Sequence, residues 1–246
     1  MKKPAALVLL LAFTSLLAAP ALRAEATPDA TEAKAAAARA KSQADQEKKA
    51  ASWVESLQLG DPARAARVQA VIAAHLKAIT DWHNDHPFST VPATDPVTGK
   101  PLNDLARQMI ADGAIPKTVH EALMSGLRRD LTEPQVEAVL DKYTIGKVAF
   151  TLAGYHSIVP DLTATEEATI LGFLKQAREE AVDYKNIKQI SAVFEIYKTK
   201  SEQFLNSNGR DWKKLFKTYV DGVKAQKAAA AAAKAETAKP TEDKKP

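Results

Sequence analysis

The sequence predicts an all-α fold: a single helical domain of about seven to nine amphipathic helices, with polar, flexible extensions at both ends. Three observations carry that expectation. Apolar residues recur at three- and four-residue steps through most of the interior, the spacing of one helix face. Helix-start chemistry recurs beside them: Asp61-Pro62, Thr132-Glu133-Pro134-Gln135 and Thr163 with Glu166 each place a capping oxygen ahead of an apolar run. Only the segment 146–160 alternates like a strand, and it has no second strand to pair with.

Composition defines the ends. Residues 1–24 open with Lys2 and Lys3, continue as an apolar run from Ala5 to Ala18 and finish on small residues. That order is expected of a secretory signal peptide, and the run is too short to cross a bilayer. Cleavage is expected after Ala21, Ala24 or Ala26. Residues 25–52 read as an Ala/Lys/Glu-rich spacer, residues 53–223 as the helical domain, and residues 224–246 as a low-complexity Ala/Lys tail. A periplasmic or secreted protein with no membrane span in the mature chain is therefore expected. The chain contains no cysteine, which excludes disulfides, thiolate metal sites and a lipid-anchored amino terminus.

Charge narrows the partners. The whole chain carries +4, but without residues 1–24 it has 31 basic residues against 30 acidic ones. The tail holds six lysines and three acidic residues, which leaves the domain and its spacer slightly negative. A nucleic-acid binder shows a clustered basic face, and none is visible. Nucleic acid is excluded as a partner.

The elements follow in order. Asp61 caps and Pro62 opens a helix whose inner face runs through Val68, Ile72, His75, Leu76, Ile79, Trp82, His83 and His86 until Pro87 stops it. A loop stiffened by Pro87, Pro92, Pro96 and Pro101 follows, long enough to imply a function or mobility. Leu102 to Ile110 make a short helix ended by Gly113, and Pro116 opens another through Val119, Leu123 and Leu127. Thr132 and Gln135 cap a helix buried through Val136, Val139, Leu140 and Tyr143. Residues 146–160 are read as helix, on the stripe Val148, Leu152, Tyr155 and Val159. Thr163 and Glu166 cap the next, through Ile170, Leu171, Leu174, Ala177 and Ala181. Ile187, Ile190, Phe194, Tyr197, Ser201 and Phe204 form a heptad-like seam that ends at Gly209. Trp212, Leu215, Phe216, Tyr219 and Val223 make the last core helix.

Known catalytic signatures are missing: there is no HExxH, GxSxG, phosphate loop or GxGxxG. No cofactor and no metal site is expected. The densest chemistry lies in Asp81-Trp82-His83-Asn84-Asp85-His86-Pro87, where a carboxylate can orient an imidazole at a helix end. The ligand-binding candidates are Trp82, His83, Asn84 and His86, with Arg210 and Trp212 available to close the exposed side. The same residues also fit a structural role, with Trp82 as core and His86 as helix stop. His120 and His156 read as satisfied core or boundary histidines. The run Arg178, Glu179, Glu180 and Asp183 reads as a solvated face with internal ion pairs.

Taken together, HLKAITDWHNDHP with TVPATDPVTGKPL, then LTEPQVEAVLDKYTIGKVAFT, then GYHSIVPDLTATEE through LNSNGRDW make the chain resemble a family of exported bacterial proteins catalogued as a domain of unknown function. The resemblance spans roughly residues 53–223. It implies export and, because such members are often encoded beside genes for breakdown of plant polysaccharides such as pectin, a role near glycan use. It transfers no catalytic residue. The functional expectation is an exported non-catalytic accessory protein that binds a glycan or a periplasmic protein partner. Two alternatives stand beside it. Leu131-Thr132-Glu133-Pro134-Gln135 matches the LTxxQ signature of periplasmic stress chaperones, and an enzyme on a plant-polysaccharide fragment would use His83 or His86 as acid or base.

Overall fold

The computed structural model describes residues 30–237. The helices in chain order are α1 (Ala30–Glu55), α2 (Pro62–Asp85), α3 (Asp104–Gly113), α4 (Lys117–Asp130), α5 (Glu133–Tyr143), α6 (Lys147–Ile158), α7 (Ala164–Ala181), α8 (Ile187–Ser207) and α9 (Trp212–Thr237), with a single 3-10 turn at Phe88–Thr90. Among the described residues there is no strand, only an isolated bridge between Thr94 and Pro101. The segment that alternates like a strand is α6. Val148 and Tyr155 are buried along one side of it, while Phe150 remains 80% exposed. The expected signal peptide and the last residues of the tail lie outside the described residues.

The caps form as the sequence implies. Asp61 Oδ1 accepts from the amides of Ala63 and Arg64 at 2.9 and 3.1 Å. Thr163 Oγ1 accepts from the Glu166 amide at 3.2 Å, and Glu166 Oε2 accepts from the Thr163 amide at 2.9 Å. Gln135 Oε1 accepts from the Thr132 amide at 3.1 Å. Past α8, Gly209 takes φ +83°, the left-handed conformation that lets the chain leave a helix end without a Cβ clash. On α8 the buried stripe is Ile190, Val193, Phe194, Tyr197, Ser201 and Leu205, whereas Ile187 is 45% exposed. Leu205, not Phe204, completes the stripe.

The chain divides into two units, Met1–Lys41 and Ser42–Pro246. In the first, residues 32–41 form exposed helix. In the second, packing begins ahead of the expected boundary at Trp53. Gln46 Nε2 donates to Thr80 Oγ1 at 2.9 Å, and Ala50 has no exposed surface. A small residue gives little hydrophobic signal in sequence, yet it suits a close helix approach. At the other end α9 continues through the Ala/Lys stretch, with residues 224–234 exposed. Alanine and lysine favour helix without any packing.

Two apolar clusters build the second unit. One joins the end of α1 with α2, α4 and α5 through Val68, Ile72, Leu127, Val136 and Val139. The other joins α6 to α9 through Ile170, Leu174, Ala177, Val193 and Leu205. They meet at the end of α7, where Ala181 belongs to the second cluster and Val182 to the first.

Helix α4 approaches α2 closely because Gly126 has no side chain: a Cβ there would lie 2.7 and 2.8 Å from the two Val71 methyls. Valine is stiff at χ1, so it cannot swing aside. Gly126→Ala is expected to destabilise the domain by about 1–3 kcal/mol in urea unfolding, despite alanine's better helix propensity.

Candidate functional site

The predicted site residues separate into two groups. At the end of α2, His83 Nδ1 lies 2.7 Å from Asp112 Oδ2, a carboxylate that is almost fully buried at the end of α3. Asp112 also accepts from Gln108 Nε2 at 3.0 Å and from Gln189 Nε2 at 2.5 Å. Trp82 Nε1 donates to the Ala111 carbonyl at 3.0 Å. The Trp82 ring stacks on His86 with centroids 3.6 Å apart, as their shared helix face requires, and His86 Nδ1 sits 2.9 Å from the Trp82 carbonyl. Asn84 Oδ1 accepts from Lys185 Nζ at 2.9 Å. Trp82, His83 and Asn84 hold α2 to its neighbours, while His86 packs back on Trp82 of α2 itself, so the cluster joins helices at the end of α2.

Arg210 and Trp212 do not close over that cluster. Arg210 forks onto Glu166, with Nε to Oε1 at 3.0 Å and Nη2 to Oε2 at 2.8 Å, and reaches Asp161 with Nη1 at 2.8 Å. The guanidinium and the Thr163 amide hold Glu166 down to about 2. The connection from α8 into α9 places both residues beside α6 and α7, against the second apolar cluster. The Phe88–Pro101 loop is tied separately, by Arg107 donating to the Val91 and Ser89 carbonyls.

Trp212 instead belongs to a groove of about 680 Å³ between α6, α8 and α9. Trp212 and Phe216 stack at 5.9 Å with rings 25° apart, and Trp212 lies 5.4 Å from Tyr155. Phe216 and Tyr219 are 47% and 38% exposed, although their spacing reads as a core face. No helix covers that side of α9 among the described residues. Gly154 lines the groove, and a Cβ on it would meet nothing within 4 Å, so the missing side chain keeps the floor open. Lys147, Glu195, Lys198 and Glu202 supply polar groups around the rings. Burial raises the Glu202 carboxyl above its ordinary value, against the pull of Lys198.

Polar chemistry also concentrates where sequence spacing gave no signal. Asp183, just past α7, accepts from both His75 and His120: Oδ1 lies 3.0 Å from His75 Nε2 and Oδ2 lies 2.9 Å from His120 Nδ1. His75 is buried on α2, and its Nδ1 is 3.2 Å from the Tyr143 hydroxyl of α5. One level down α7, buried Arg178 reaches Asp141 at 2.9 Å and Glu137 at 3.4 Å. The run Arg178 to Asp183 is thus a set of contacts between helices, and the solvated-face reading is corrected. The partners of Asp183 and Arg178 come from α2, α4 and α5, which a single-helix pattern cannot reveal.

The bond from Asp183 raises the His120 imidazole, against burial and with help from Glu179. Burial alone would raise Asp183, but the two imidazoles outweigh it and hold the carboxyl below its usual range. A raised histidine stabilises the fold fully below its unfolded value and loses that contribution as pH climbs through the folded one. A lowered carboxylate stabilises above its unfolded value and loses it as pH falls. The pair therefore contributes most between about pH 4 and about pH 6.5. Melting temperatures measured across pH should fall on both sides of that window, and His120→Gln should flatten the alkaline side.

Among curated proteins no match is found. Across residues 43–225 the chain matches the family model described as a protein of unknown function (DUF3826). That match begins near Gln46 and Ala50, where packing begins, and spans both apolar clusters and the groove; the chain belongs to this family of unknown function.

Proposed function

We propose that the protein is an exported accessory that holds a glycan in the groove between α6, α8 and α9. One observation carries this reading: a stacked, half-exposed Trp212–Phe216 pair runs along a concave surface rimmed by carboxylates and ammonium groups. The C–H face of a pyranose ring carries partial positive charge and sits well on an aromatic face. Its hydroxyls need fixed donors and acceptors at the edge of such a platform, and Glu195, Glu202, Lys147 and Lys198 supply both. A groove that is mostly apolar with a few placed polar groups is the usual form of a small-ligand site. Helices α6 and α8 belong to the second apolar cluster, so the walls of the groove are preorganised and little ordering opposes binding.

Export rests on residues 1–24, with their basic start, short apolar run and small-residue end. Among the described residues no helix is long and apolar enough to cross a membrane. The chaperone reading loses its main support, because Leu131 to Gln135 is accounted for by the cap at the start of α5.

The test is a titration of the chain with neutral and uronic oligosaccharides, followed by tryptophan emission and by calorimetry. Saturable binding is expected, and Phe216→Ala should weaken it about tenfold, a loss of about 1.4 kcal/mol. Phe216 is half exposed, so that change should leave the melting temperature within a few degrees. Trp212→Phe should remove the emission change while retaining part of the affinity. No saturable binding to any member of the panel, or equal binding by Phe216→Ala, contradicts the reading.

A further inference from the structure

A second cavity, of about 370 Å³, opens between the α3–α4 turn, α4 and the end of α7. His120 and Asp183 line it together with Tyr184, Lys117, Glu121 and Glu180. We propose that this cavity is a hydrolytic site in which the Asp183–His120 dyad activates water against a small, uncharged acyl ester.

The geometry supplies each part. Asp183 Oδ2 accepts from His120 Nδ1 at 2.9 Å, which fixes the tautomer that leaves Nε2 as the base. His120 is partly exposed, with a quarter of its side chain open, so Nε2 is reachable. Glu179 Oε1 lies 3.7 Å from Nε2, close enough to stabilise the imidazolium that forms on proton transfer. Asp183 is itself anchored from behind by buried His75, whose other nitrogen meets the Tyr143 hydroxyl. This chain of contacts runs into the core, so the dyad is held rigidly and cannot relax away from its geometry.

In the first step Nε2 takes a proton from water while the water oxygen bonds to the acyl carbon. The carbonyl π pair moves onto its oxygen, where the Lys117 ammonium and the Tyr184 hydroxyl of the same cavity are the available donors. Burial, with Glu180, Asp183 and Asp112 nearby, raises Tyr184, so its hydroxyl keeps its proton. The carbonyl then re-forms, the bond to the leaving alkoxide breaks, and the proton on Nε2 passes to that oxygen. Ester and water give acid and alcohol, and the dyad is regenerated. The three carboxylates that line the cavity, Glu121, Glu180 and Asp183, outnumber its one lysine, Lys117, which disfavours an anionic substrate and repels the carboxylate product. This goes beyond glycan binding, because it uses different residues and elements from the aromatic groove.

The test uses the full chain and 4-nitrophenyl acetate as probe, with free imidazole at equal concentration as reference. The chain is expected to release 4-nitrophenol faster than imidazole, with a rate that rises with pH as His120 loses its proton and then levels. His120→Gln should lower the enzyme-dependent rate about a hundredfold, with a far-ultraviolet dichroism spectrum like the parent's. Tyr184→Phe should lower it several-fold without moving the pH profile. His156→Gln is the control, since His156 is half exposed on α6 beside Glu167 and is not among the residues that line the cavity, and it should be unchanged. A parent no faster than imidazole, or a folded His120→Gln chain that keeps the parent rate, overturns the proposal.

Discussion

The fold depends on a polar seam between two apolar clusters, and its central contact is the Asp183 carboxylate shared by His75 and His120. Neither cluster alone spans the domain: one is built on α2, α4 and α5, the other on α6 to α9. Where they meet, three polar side chains cross. Asp183 ties the end of α7 to α2 and α4, Asp112 ties α3 to α2 and α8, and Arg178 ties α7 to α5. Buried charges are costly unless they are paired and hydrogen-bonded. These pairs form only in one arrangement of the helices, and Arg178 Nε is left without a hydrogen-bond partner among the described residues, so the seam specifies the fold more than it strengthens it.

The same arrangement sets what the surface offers. Trp82 and His83 are used at the seam, so the histidine-rich stretch joins α2 to α3 there. Both proposed sites lie where the seam leaves surface open. On the far side of the second cluster, α9 covers only part of α6 and α8, and its aromatic residues face a groove. Beside the seam, His120 is gripped by Asp183 at Nδ1 and faces Glu179 3.7 Å away at Nε2, which gives the proposed hydrolytic cavity its base. A structural clip and a reactive group are here the same pair of residues, with the buried His75–Tyr143 side supplying rigidity.

Sequence revealed what depends on a single element. Helix starts at Asp61, Thr132 and Thr163, the stop at Pro87 and the turn at Gly209 all follow from local chemistry, and each appears as expected. Residues 146–160 were decidable because a lone strand has no hydrogen-bond partner. The histidine cluster was visible, but its meaning was not, since Asp112 and Gln189 come from α3 and α8. Asp183 lay inside a run that looked like ordinary charged helix surface, and only tertiary contact separates it from its neighbours. Phe216 and Tyr219 carry a core-like spacing, and nothing local reveals that their side of α9 lacks a covering helix. Ala50 shows the opposite failure: a small residue at a close approach is buried without a hydrophobic signature.

If the seam makes the two clusters one cooperative unit, they must open together. Native-state hydrogen exchange under increasing urea measures this directly, through the slowest amides of α5 in one cluster and α8 in the other. The seam predicts that both converge on a single opening free energy in the parent chain and that Asp183→Asn splits them into two. Separate opening free energies in the parent, or clusters that remain coupled in Asp183→Asn, would contradict it.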